Sequence, residues 1–282
     1  MDCVAIRKIK NKGCGRPGRR LHHRRQRIVF PEMFDLSGKV ALVTGGSKGL
    51  GKAMARGMVE CGADVIITSR NENELRPALD DILRGTHRRG KFIVADMGRR
   101  EEVRRLATTA LEQMQRVDIL VNNAGTNVPQ PIDAIADEVW DRVVEINLNS
   151  VMVLTRALVP QMKERRWGRV VHISSVLGFL SKEKRNVYSA TKSALLGLAR
   201  ASAIDLGPFG ITVNCIAPGP FLTDLPGSLL SDQEKKSFAE HTALGRWGDP
   251  KELVGSLLLL ASDAGSYITG TTLIVDGGFT VR

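Results

Sequence analysis

Tyr188 and Lys192 stand four residues apart in Tyr188-Ser189-Ala190-Thr191-Lys192. On a helix this spacing puts a phenol and an ammonium on one face. A neighbouring positive charge favours the phenolate, moving the tyrosine toward proton transfer at neutral pH. Pairs of this kind are also ordinary on helices, so the spacing carries weight only in company. Ser174 and Ser175 close the apolar run that contains Val170, Val171 and Ile173, and Asn122-Asn123-Ala124-Gly125 closes another run, Ile119-Leu120-Val121. A fourth set, Gly45-Gly46-Ser47-Lys48-Gly49-Leu50-Gly51, follows the run Val40 to Thr44. Glycines there let the backbone approach a pyrophosphate while a helix N-terminus offers free N–H groups. A tight structural turn would use the same residues, but the position between a first strand and a first helix favours a nucleotide.

These sets require a scaffold that gathers strand ends. Short apolar runs at Lys39–Thr44, Asp64–Thr68, Lys91–Ala95, Ile119–Asn122, Arg169–Ser174, Thr212–Ala217 and Leu273–Val275 read as strands. Segments of helical spacing, including Leu50–Cys61 and Glu72–Arg84, separate them. Regular alternation predicts an α/β fold: a single Rossmann-like, doubly wound parallel sheet with helices on both faces, which binds ligands at the carboxyl ends of its strands. One domain is expected over 33–282, behind a basic tail at 1–32.

At this point the residues resemble the short-chain dehydrogenase/reductase family. The Thr44 to Gly51 segment is similar to the family's TGxxxGxG turn, Asn122 to Gly125 to its NNAG motif, and Tyr188 to Lys192 to its YxxxK. Ser175 lies thirteen positions before Tyr188, as the family's serine does, and Asn147 falls in the expected helix. The resemblance implies an NAD(P)-dependent oxidoreductase that interconverts a ketone and a secondary alcohol. It implies that Tyr188 is the general acid in reduction and that Ser175 polarises the carbonyl. Lys192 would lower the tyrosine pKa and hold the nicotinamide ribose, and Asn147 would hold a relay water. Gly45, Ser47, Lys48, Gly49, Leu50 and Gly51 would cradle the cofactor with Asn123, Ala124, Gly125, Tyr188 and Lys192. Pro218, Gly219 and Thr223 resemble the segment that meets the nicotinamide. Asp96 and Met97 fall where the family contacts adenine, although Asp96 could equally be a helix N-cap.

At the end of the second strand an acid would accept hydrogen bonds from a ribose 2′-hydroxyl and repel a 2′-phosphate. Ser69 and Arg70 stand there instead, and Lys48 adds a second positive charge. This points to NADP(H), with NAD(H) possible if both charges are merely solvated. The opening and the segment after Ala217 look most like gluconate 5-dehydrogenase-type members, implying a sugar acid such as 5-ketogluconate; 3-oxoacyl-carrier-protein reductase is the alternative. The wall Leu177 to Val187 carries Lys182, Lys184 and Arg185, and Asp224 to Gly245 is expected to form the substrate loop. By analogy the resemblance also implies a homotetramer or homodimer.

The formal charge of +11 is not spread over the chain. Ten Lys and Arg and one acid precede position 31, a net of +9, which leaves +2 for the rest and argues against nucleic acid except through that tail. The tail has too little apolar surface to order itself and is expected to be disordered. Met33 resembles the family's usual start, so the tail is expected to be untranslated; a nucleic-acid arm and a targeting peptide are the alternatives. Cys3, Cys14, Cys61 and Cys215 match no metal spacing or disulfide framework, so no metal and a reducing, cytoplasmic setting are expected. No uninterrupted apolar run approaches membrane length. A non-catalytic nicotinamide-binding regulator on the same fold is the rival from another class.

Arg70→Ala is expected to raise the KM for NADPH much more than that for NADH in steady-state assays. Equal effects on both cofactors would remove Arg70 from the argument.

Overall fold

The computed structural model describes residues 30–223 and 231–282. Most of the basic tail, and residues 224–230 of the expected substrate loop, lie outside them. A 3-10 turn at Phe30–Phe34 leads to Leu36, a fully buried side chain, whose N–H donates to the Cys61 carbonyl at 2.7 Å.

Seven strands follow: β1 Val40–Thr44, β2 Asp64–Ser69, β3 Gly90–Val94, β4 Ile119–Asn122, β5 Gly168–Ile173, β6 Ile211–Pro218 and β7 Thr272–Val275. They form one parallel sheet in the order β3-β2-β1-β4-β5-β6-β7. Strands covered on both faces read as continuous apolar runs, and β1, β4, β5 and β6 are buried along their whole lengths. Alternate residues still serve opposite faces. In β1, Val40 and Leu42 join one core cluster while Ala41 and Val43 join the other. The expected strand positions hold to within two residues at either end.

One face is covered by α3 (Arg100–Met114), α5 (Ser150–Arg165) and α6 (Asn186–Leu206). The other is covered by α1 (Gly49–Glu60), α2 (Glu72–Leu83) and, late in the chain, α8 (Val254–Ala261). Between β4 and α5, α4 (Asp137–Val144) passes into a π-helical turn at Glu145–Asn149. The continuous run Asp137–Arg165 is long and apolar enough by composition to cross a membrane. Its apolar residues are used inside the fold: Val151, Leu154, Leu158 and Met162 pack with Val103, Leu106, Ala110 and Met114 of α3.

The strand order reverses between β1 and β4, and this switch point opens a crevice at the strands' carboxyl ends. The glycine turn follows β1 and the Asn123 segment follows β4. Thr44 Oγ1 accepts from the backbone N–H of Asn123 at 3.0 Å and of Ala124 at 2.9 Å, while Asn123 Nδ2 donates to the carbonyls of Thr44 (2.8 Å) and Gly45 (3.2 Å). The turn is therefore braced from the neighbouring strand. It is also tight: a Cβ on Gly51 would collide with the Gly45 carbonyl oxygen and lie 2.6 Å from Asn123 Nδ2.

Gly51→Ala should therefore force the turn apart. Denaturant unfolding is expected to show a loss of about 1–3 kcal/mol, the range for overpacking; wild-type stability would mean the turn relaxes freely.

Candidate active site

The ends of β4 and β5, the π-helical turn and α6 place side chains around one point. Lys192, on α6, is buried, and its Nζ donates to the Ile173 carbonyl at the end of β5 at 2.7 Å. A Cβ on Gly125 would lie 3.3 Å from that Nζ and 3.4 Å from Asn147 Oδ1, so the glycine, the ammonium and the amide share one small space. Asn147 is fully buried, accepts from Thr126 N–H at 2.8 Å, and donates to the Thr126 carbonyl at 2.9 Å and to Thr191 Oγ1 at 3.2 Å. Its position depends on the π-helical turn, an i→i+5 widening that is frequent at functional sites. The sequence located Asn147 but gave no sign of the turn, because π-helices have no distinct side-chain period.

Ser175 caps a 3-10 turn, and its Oγ accepts from Leu177 N–H at 3.1 Å. That bond uses a lone pair and leaves the hydroxyl proton free to donate. Ser174 does different work, tying β5 to α6 through a 2.8 Å bond from its hydroxyl to the Lys192 carbonyl.

Burial pushes the Tyr188 phenol up, with a hydrogen bond from Ser175 and the charge of Arg185 pulling the other way. Lys192 Nζ lies 5.7 Å from the tyrosine ring centroid. Burial governs both groups: it brings Lys192 itself down to about 8.

One buried titratable neighbour was missed. His172, in β5, is fully buried, its Nδ1 lies 3.1 Å from Asn122 Nδ2, and it registers beside Cys215 of β6. Desolvation first, then the Lys192 charge, brings its pKa down to about 4, so it stays neutral beside the ammonium. Cys215 is pushed up to about 12 by burial, so it remains a thiol. Apolar neighbours in sequence made His172 look like part of a strand and nothing more.

The cofactor candidates divide. Gly45 and Gly49 have positive φ (+64° and +53°), and a Cβ on Gly49 would lie 3.3 Å from Thr223. Lys48, the residue before α1, makes no side-chain cap, so the first N–H groups of that helix are left to a ligand. Leu50 packs partly against the core, and Gly219, after Pro218, could carry no side chain because Asp276 Cβ would lie 2.6 Å away. Glycine-lined backbone and open helix N–H groups fit a pyrophosphate.

Asp96 is not a helix N-cap, since Arg99 holds that place before α3. It accepts from Gly98 N–H at 2.8 Å and pairs with Arg142 at 3.1 Å. Burial pushes its carboxyl up, but these bonds and the charges of Arg142 and Arg70 outweigh that and hold it low. Met97 is buried in the core and can offer a ligand only its backbone. Ser69 is half-buried and Arg70 is exposed at the end of β2. Lys48, expected to be free for a phosphate, is paired with Glu74 of α2 at 3.3 Å.

The described part of the expected substrate loop contains α7 (Asp232–Glu240). Phe238 there packs against Trp247 (5.5 Å between centroids) and under the Lys182 ammonium at 4.6 Å. The two expected walls of the cleft are therefore in contact.

A family model described as enoyl-(acyl carrier protein) reductase matches residues 45–280. The chain belongs to the short-chain dehydrogenase/reductase family. Its members are oxidoreductases acting on secondary alcohols and ketones with NAD(P). Among relatives, the human dehydrogenase/reductase SDR family member 4 is 38% identical over 249 residues, 88% of this chain and 89% of that protein. Gluconate 5-dehydrogenase of Gluconobacter oxydans is 35% identical over 258 residues, 90% and 99% of the two chains. The crystal structure of a gluconate 5-dehydrogenase from Burkholderia cenocepacia, in complex with NADP and tartrate, has a TM-score of 0.84 at 33% identity and covers 89% of this chain and 99% of that one.

His172 supplies a test of the buried site. Its folded pKa lies below the unfolded value, so the unfolded state binds the extra proton first. Stability present above pH 6.5 is expected to fall by about 3 kcal/mol as pH drops toward 4. Denaturant titrations of wild type and His172→Asn across that window should differ by this loss; parallel curves would show that His172 titrates normally.

Proposed function

We propose that this chain is an NADPH-dependent reductase that converts a ketone to a secondary alcohol reversibly, acting on a sugar acid such as 5-ketogluconate. The observation that carries the reading is the convergence of Ser175, Tyr188, Lys192, Asn147 and Gly125 beside a glycine turn that fits a pyrophosphate. NADPH is supported by Arg70 at the end of β2 and by solved relatives holding NADP. The sugar acid is supported by the gluconate-type relatives and by Arg185, whose charge reaches Tyr188. The 3-oxoacyl-carrier-protein reductase reading is supported by relatives so named and remains the alternative.

When bound, the nicotinamide supplies the hydride that reaches the carbonyl carbon. Ser175 donates its hydroxyl proton in a hydrogen bond to the carbonyl oxygen, where negative charge develops. Tyr188 then gives its phenolic proton to that oxygen, completing the alcohol. A phenol pushed up by burial is protonated at neutral pH, which suits an acid in the reducing direction. Lys192 would hold the ribose hydroxyls and, as an ammonium, stabilises the phenolate that Tyr188 leaves. Asn147 holds a water between Lys192 and solvent, through which the phenolate is reprotonated. Gly45, Ser47, Gly49, Leu50 and Gly51 receive the pyrophosphate side. Asp96 and the Met97 backbone would hold the adenine, Asn123, Ala124 and Gly125 would line the floor, and Pro218, Gly219 and Thr223 would hold the nicotinamide. The domain spans 33–282, and the enzyme works in the cytoplasm as a homodimer or homotetramer.

Oxidation of NADPH by the purified protein should be followed with 5-ketogluconate, acetoacetyl thioesters and cyclic ketones. Turnover is expected with 5-ketogluconate. Tyr188→Phe is expected to abolish it while NADPH affinity changes no more than a few-fold. Retained turnover would sink the tyrosine's role, and tight NADPH binding without turnover on any compound would favour a nicotinamide-binding regulator.

A further inference from the structure

Three elements meet where the adenosine ribose of the proposed cofactor would lie. Gly46 N–H donates to the Thr68 carbonyl at 3.1 Å, which holds the glycine turn against the end of β2, beside Ser69 and Arg70. The first turn of α2, capped by Asn71, brings Glu74 over the same place. Glu74 Oε2 accepts from the Ser47 hydroxyl at 3.1 Å, and Oε1 accepts from Lys48 Nζ at 3.3 Å. Beneath lies a cavity of about 410 Å³ lined by Ser47, Lys48, Lys52, Glu74 and Asp81 among others. Lys52 is also engaged, pairing with Asp81 at 2.7 Å.

Resting on the nicotinamide reading above, we propose that Glu74 sets the choice between NADPH and NADH by occupying the donors that a 2′-phosphate needs. A phosphate entering here must take Ser47 and Lys48 from the carboxylate and then sit beside its negative charge. A free 2′-hydroxyl has no such conflict, and it can donate directly to the carboxylate. Glu74 therefore supplies, from α2, the acid that is absent at position 69. The Lys48–Glu74 pair is exposed, with side-chain accessibilities of 58% and 37%, so it is weakly held and can be displaced. Selectivity for NADPH is consequently graded: Arg70 and Lys48 favour the phosphate and Glu74 opposes it. Burial raises the Glu74 carboxyl, but Lys48 and Ser47 outweigh this and hold it low, so the opposition persists at neutral pH.

The test is equilibrium binding, without turnover, of NADPH and NADH by nucleotide fluorescence, with adenosine 2′,5′-bisphosphate and 5′-AMP as competing fragments. In Glu74→Gln, affinity for NADPH and for the bisphosphate is expected to rise about tenfold, while that for NADH and 5′-AMP stays level or falls. Lys48→Ala added to Glu74→Gln is expected to cancel the gain. Equal changes for both cofactors, or none, would overturn the role of Glu74 while leaving the nicotinamide site intact. Wild-type protein that is folded by circular dichroism yet binds neither dinucleotide would instead overturn the cofactor reading on which the proposal rests.

Discussion

The buried ammonium of Lys192 is the constraint around which the carboxyl ends of the sheet are arranged. Removing a charge from water is costly unless polar groups replace the solvent. Here the Ile173 carbonyl accepts a hydrogen bond from it, Gly125 leaves room that a Cβ would take, and Asn147 Oδ1 faces the same space. Ser174 fixes the helix that carries the lysine by binding its carbonyl. The cost shows in the lysine's fall to about 8 and in the neutral state of His172, whose own fall to about 4 follows from burial and from that ammonium. The arrangement is held by packing that exceeds its local cost, as buried polar networks at functional sites commonly are.

A second constraint locks the mouth of the crevice. Thr44 and Asn123 exchange backbone and side-chain hydrogen bonds across the switch point between β1 and β4. These bonds fix the glycine turn, and a rigid cradle loses less entropy on binding than a flexible one. The same tightness explains the glycines: Gly51 has no space for a Cβ, and Gly45 and Gly49 adopt left-handed backbone that other residues rarely accept. The nucleotide end is less rigid in its chemistry. Charges that look free in the chain are partnered in space, Lys48 by Glu74 and Lys52 by Asp81, so the balance of cations and acids there is finer than a count of basic residues implies.

The sequence by itself determined the fold class, the strands and the motifs, because these are local: apolar runs set strands, and fixed spacings set Tyr188 against Lys192 and Ser175 against Tyr188. Periodicity could not distinguish a π-turn from a helix, nor mark His172 as a buried partner within an apolar strand. Only the tertiary structure decided which charges are paired and which groups are desolvated. Glu74 lies 26 residues beyond Lys48, and Asp96 meets Arg142 across 46. Contacts of that range depend on how the sheet folds back on itself. So do the protonation states, since burial is a property of the packed molecule and not of the chain. Tyr188 is held up and Lys192 down by that same burial, which no spacing in the sequence records.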